Sequence, residues 1–183
     1  IFNFTIFDDD YKEKRDSLKR YLFGVGDELS QALDFMQDMT DKHIPYTYGG
    51  GKERIKETDE GLKEMDCSEF VGRYLNKLGV FDPARGITTS DFTDPKTADI
   101  NFKDKIEFVE GSDRKDFKDI RPGDFFVYSG HMGLVKSYDS ATDIVTILEA
   151  LGPSGSNEAS LNAGRGEGKT VESKYTREGP ALF

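Results

Sequence analysis

A thiol, an imidazole and a carboxylate suffice to hydrolyse an amide, and this chain has one cysteine and two histidines from which to build such a set. Cys67 stands in the triplet Asp66-Cys67-Ser68, just ahead of the apolar stripe Phe70, Val71, Tyr74, Leu75 and Leu78. That spacing predicts a helix over residues 67–78, stopped by Gly79. Cys67 then lies at a helix N-terminus, where unpaired N–H groups and the helix dipole stabilise a thiolate, the nucleophilic form. The competing reading is a buried apolar cysteine, the more frequent fate of a lone Cys. His131 follows a glycine turn and opens a predicted strand. A ring there projects from a sheet edge into a cleft, or is an ordinary turn histidine. Glu149 lies among Ile147, Leu148 and Ala150 and shares a strand face with Ile147. It is therefore on a solvated face or buried with a partner. An imidazolium would be such a partner. In a Cys–His–acid set the imidazole takes the thiol proton and later protonates the leaving amine, while the acid fixes the ring's tautomer.

Positioning these groups requires helices first and strands after. Leu29, Ala32, Leu33, Met36 and Met39 fall on one helical face, with Asp27 at the expected N-cap and Pro45 as the stop. Leu18, Tyr21 and Leu22 predict a shorter helix before it, broken by Gly24 and Gly26. Residues 44–51 form an aromatic segment running into a glycine-rich turn, and 52–64 read as a charged, solvated loop. Residues 81–119 read as irregular. Arg121-Pro122-Gly123-Asp124 is a turn feeding the strand Phe125-Phe126-Val127-Tyr128; Ser129-Gly130 turns the chain into a strand over 131–135, and a polar turn at 139–143 leads to a third over 144–150. Residues 151–174 are rich in Gly, Ser and Asn and read as a long loop or extension. Helices followed by strands imply an α+β fold with a small antiparallel sheet.

The string Pro45-Tyr46-Thr47-Tyr48-Gly49-Gly50, the triplet Asp66-Cys67-Ser68, the segment 121–128 and His131-Met132-Gly133-Leu134-Val135 together resemble the NlpC/P60 family, over residues 29–150 and in that family's order. Those are papain-like cysteine peptidases and amidases of the bacterial cell wall. The resemblance implies a papain-like fold, with an N-terminal extension over 1–26, a catalytic domain over 27–152, and an extension or lid over 153–183 belonging to the same domain. It implies Cys67 as nucleophile and His131 as general base. The residue that orients the ring from the following strand falls on Glu149, with Asp139 and Asn157 competing for that role. Tyr46, Asp66 and Ser68 would shape the substrate site. The implied substrate is a peptidoglycan stem peptide, the implied setting is the cell envelope, periplasmic or secreted, and neither cofactor nor metal is implied.

The bond implied is the one between D-glutamate and the diamino acid, because in members of that activity these positions hold the free amino end of the stem peptide. A carboxylate at Asp66 can pair with that ammonium group. The alternatives are an N-acetylmuramoyl-L-alanine amidase, or a catalytically silent relative that binds wall peptide or a protein partner. Three departures from the family pattern stand out: Glu69 where glycine is usual, Glu149 where a second histidine is commoner, and residues 151–183, which have no counterpart.

Two other motifs carry no site. Ala163-Gly164-Arg165-Gly166-Glu167-Gly168-Lys169-Thr170 is close to a phosphate-binding loop, but such a loop needs a buried strand before it and a helix after it. Gly49-Gly50-Gly51-Lys52 lacks the same context. Cys67 with two distant histidines does not have zinc-ligand spacing. His43, near the end of the first long helix, reads as a partner of that helix's C-terminal dipole.

The 183 residues amount to one domain with an appendage. A net charge of −10 argues against a nucleic-acid partner, which requires a basic face. One cysteine excludes an intrachain disulfide, and no apolar run approaches the ~20 residues of a membrane span. Ile1 in place of Met fits a trimmed chain, and the first seven residues are too short and too uncharged for a whole signal peptide, so a removed export signal is compatible with the sequence.

Overall fold

The computed structural model describes residues 2–5, 25–48, 62, 64–80, 86–93, 106–110, 120–128, 130–152 and 168–176. The expected short helix near Leu18, most of the 52–64 loop and the Gly49–Gly51 turn lie outside them. Helix α1 spans Val25–Asp41 and helix α2 spans Cys67–Lys77. Because α1 starts at Val25, Asp27 lies in its first turn, not at the N-cap. Ala32, Met36 and Met39 are buried, as their spacing requires. Helix α2 ends where its glycine predicts, with Leu78 as C-cap and Gly79 at φ +66°.

Among the described residues six strands form one sheet: β1 (Phe2–Thr5), β2 (Glu107–Glu110), β3 (Phe125–Tyr128), β4 (His131–Asp139), β5 (Ile144–Leu151) and β6 (Lys169–Thr176). Their order is β2-β1-β3-β4-β5-β6, and every neighbouring pair is antiparallel. The fold is therefore α+β with an antiparallel sheet. Strands β3 to β6 follow one another in the chain and carry the site.

Two expectations are corrected. Residues 81–119 are not wholly irregular, since they contain a short helix α3 (Ser90–Thr93) and strand β2. Four-residue elements are too short to display a period, and β2 gains its ladder only from distant β1. The segment 151–174 is not all loop either. Lys169–Thr176 forms an eight-residue strand paired along β5, with Val171, Ser173 and Tyr175 inward against Glu172, Lys174 and Thr176 outward.

The sheet has two apolar faces. Met132, Leu134, Leu148 and Ala150 join Met36, Phe70, Tyr74 and Phe125 in the core beneath the helices. Phe126, Val135, Val145, Ile147 and Tyr175 make a second cluster, with Ile120 and Tyr138 packed against it. By strand alternation His131 and Gly133 share the face of Val135, and Glu149 shares that of Ile147. The turn before β3 ties the sheet to α2. Tyr74 donates its hydroxyl proton to the Gly123 carbonyl at 2.8 Å, and Val135 N–H donates to the Asp124 carbonyl at 2.7 Å. Gly123 adopts φ +93°, and a Cβ there would stand 2.8 Å from both Leu29 and the Tyr74 hydroxyl, so only glycine fits. Among the described residues no helix is long and apolar enough to cross a membrane.

Candidate active site

Asp66 fixes the start of α2. Its backbone is extended (φ −105°, ψ 178°), and its Oδ1 accepts the Glu69 amide and the Ser68 hydroxyl, each at 2.7 Å. This is an N-cap, which satisfies one of the amides a helix leaves unpaired at its start. Cys67 follows as the first helical residue, as expected, and is 4% exposed. Glu69 points inward and forms a buried ion pair with Arg73 one turn later, at 2.8 Å. The Glu69 carboxylate thus packs within the helix side of the core beside its own cation.

Tyr46 reaches Cys67 from the other side. Its amide donates to the Gly168 carbonyl at 2.7 Å, while Thr47 N–H donates to Met65 and Met65 N–H to Pro45. The segment is thereby stitched between the start of β6 and the residue before Asp66. Burial, then the nearby negative charges of Cys67 and Asp66, push the Tyr46 phenol well above the ordinary range. Its ring lies over Gly152, where a Cβ would come within 3.2 Å.

His131 is the first residue of β4, after Gly130 at φ +88°, so its ring stands at the end of the sheet. A carboxylate only accepts, so Nε2–H donates to Glu149 Oε2, at 2.8 Å. Cys67 is the ring's other close polar neighbour. With Nε2 engaged, Nδ1 is the nitrogen available to the sulfur. Burial alone would lower the imidazole pKa. The hydrogen bonds to Cys67 and Glu149 and the negative charges of both outweigh it and push His131 up to about 10. Glu149 is fully buried and accepts a second hydrogen bond, from the Tyr175 hydroxyl to Oε1, at 2.7 Å.

The structure therefore brings Tyr46, Asp66, Cys67, Ser68, His131 and Glu149 together. Of the competitors for the third role, Asp139 is exposed and occupied in its hairpin by Ala141 N–H and the Thr142 hydroxyl; Asn157 lies outside the described residues. His43 is not seated in the last turn of α1. It lies beyond Asp41 at φ 50°, with Nδ1 3.4 Å from the Thr170 carbonyl. The phosphate-loop lookalike has no helix after it, because Lys169 and Thr170 open β6.

Tyr175 was not among the expected residues. Its signal was the alternation from Val171 to Thr176, obscured by the glycines before it. Cys67 belongs to the edge of the main core and also adjoins an imidazole, a phenol and a capped helix terminus, an arrangement that can hold a thiolate–imidazolium pair oriented by a buried carboxylate. No protein-family profile, curated protein or solved structure matches this chain.

Proposed function

We propose that this protein is a cysteine hydrolase of bacterial peptidoglycan stem peptides, a papain-like enzyme of the NlpC/P60 kind that cuts the amide between D-glutamate and the diamino acid and works in the cell envelope. One arrangement carries the hydrolase reading: Cys67, at a helix N-terminus, lies close enough to His131 to raise its pKa, and Nε2 of that ring sits 2.8 Å from a fully buried Glu149. The substrate class rests on the sequence resemblance.

In this reading the Cys67 thiolate attacks the scissile carbonyl. The Cys67 amide, which precedes the Glu69 amide that Asp66 caps, faces the developing oxyanion. The His131 imidazolium gives its proton to the departing amine, leaving an acyl-thioester on Cys67. Neutral His131 then takes a proton from water as that water attacks, and the thiolate is released. Glu149 holds the ring and stabilises its charged form in both halves. Asp66 spends Oδ1 on the cap, and its carboxylate charge beside Cys67 favours an ammonium group on the substrate.

The test is a pair of substrates: a free stem tripeptide and the same peptide acetylated at its N-terminus, with products read by mass spectrometry. The expected result is cleavage of the free peptide in preference, weakened in Asp66→Asn, a substitution that keeps a good N-cap. Equal cleavage of both, or activity only on sugar-linked peptide, moves the assignment to an amidase. No cleavage of any of them overturns the substrate class.

A further inference from the structure

We propose that Tyr175 is a positioning residue of this site, fixing the Glu149 carboxylate so that its other oxygen faces His131. The inference rests on the hydrolase reading of Cys67, His131 and Glu149.

The two carboxylate oxygens divide their work: Oε2 accepts from His131 at 2.8 Å, and Oε1 from Tyr175 at 2.7 Å. The terminal torsion of a glutamate is soft, so one hydrogen bond alone leaves the carboxylate free to turn. A second donor on the opposite oxygen removes that freedom. Tyr175 is itself immobilised, being 3% exposed and packed in the cluster of Phe126, Val145 and Ile147. Its strand partner is Val145, whereas the partner of Glu149 is Val171. The phenol must therefore lie along the sheet, past Ile147, to reach the carboxylate.

Filling that space needs only a phenylalanine, since a buried hydroxyl costs free energy unless bonded. Here the bond goes to the carboxylate that holds the imidazole. The chain of contacts runs from α2 through three neighbouring strands, Cys67 to His131 on β4, Glu149 on β5 and Tyr175 on β6. The C-terminal strand is then part of the working machinery rather than an appendage.

Tyr175→Phe keeps the ring and removes only the hydroxyl. A hydrogen bond to a charged group corresponds to roughly a tenfold or larger change in rate, so kcat on the stem peptide falls about tenfold or more with KM little changed. The basic limb of the pH profile moves to lower pH, because a loosened carboxylate holds the imidazolium less well. Imidazole NMR of the same two proteins reads that change without any substrate, as a fall of at least about half a pH unit in the His131 midpoint.

Tyr138→Phe is the control. It removes a phenol bonded to Asp143 at 2.8 Å, on the same cluster but away from the site, and leaves both readouts unchanged. In a Glu149→Gln background, Tyr175→Phe adds less than about a twofold effect, as expected of groups acting through one another. An active wild type with unchanged kcat and midpoint in Tyr175→Phe overturns the inference and leaves the hydrolase reading standing. If wild type cuts no stem peptide, the substrate reading fails, and the NMR midpoint still decides the role of Tyr175.

Discussion

Replacing Glu149 by glutamine separates charge from shape. The amide oxygen still accepts from His131 Nε2, and the side chain keeps its volume in a site that is fully buried. What disappears is one negative charge. For an N–O contact of 2.8 Å the charge centres lie about 4 Å apart, and at an effective dielectric of about 20 that pair is worth about 4 kcal/mol. This is about three pH units on the imidazole midpoint. Glu149→Gln therefore moves the His131 midpoint down from about 10 by up to about three pH units, while its interaction with Cys67 still holds it up. Imidazole NMR is the assay, made simple by the presence of only two histidines in the chain. Stability follows with a definite sign. A midpoint raised above the unfolded value of about 6.5 stabilises the fold fully below that value, and the contribution is lost as pH rises through about 10. The wild type thus loses thermal stability over that alkaline window more steeply than Glu149→Gln does. A wild-type midpoint near 6.5, or one that Glu149→Gln leaves in place, refutes the ion pair.

Two further substitutions test the frame around the site. At Gly133 a Cβ would stand 2.7 Å from the Phe126 ring and 3.0 Å from Ile147, so Gly133→Ala lowers stability in urea by about 1–3 kcal/mol; because Phe126 neighbours the His131 ring at 6.0 Å, turnover falls as well. Arg73→Met breaks the buried pair with Glu69 and costs about 3–5 kcal/mol in the same assay, whereas Arg73→Met combined with Glu69→Leu recovers most of it, since an apolar pair of similar volume replaces a buried ion pair at little cost.

The helix that presents Cys67 was legible because two local signals agree there, an apolar stripe at helical spacing and a glycine at the end. The hairpin from β4 to β5 was legible for the same reason, with a polar turn between two apolar runs. Glu149 was readable as a polar residue on an apolar strand, but its partners were not, because strand register is a tertiary property. Strand β6 and Tyr175 stayed hidden for a similar reason. Their alternation is half-polar, it follows a glycine-rich stretch, and it acquires meaning only once paired with β5. Strands β1 and β2 pair across a hundred residues of chain, a distance over which local pattern carries no information.

Everything proposed for this site depends on Cys67 being a nucleophile activated by His131. The most direct measurement is the rate at which iodoacetamide labels the folded protein near neutral pH, in the wild type and in His131→Ala. Labelling without denaturant is expected at one site, Cys67, at a rate at least about tenfold higher in the wild type than in His131→Ala, with both proteins equally folded. Equal rates in the two proteins, or labelling that begins only on unfolding, would contradict it and return Cys67 to the core.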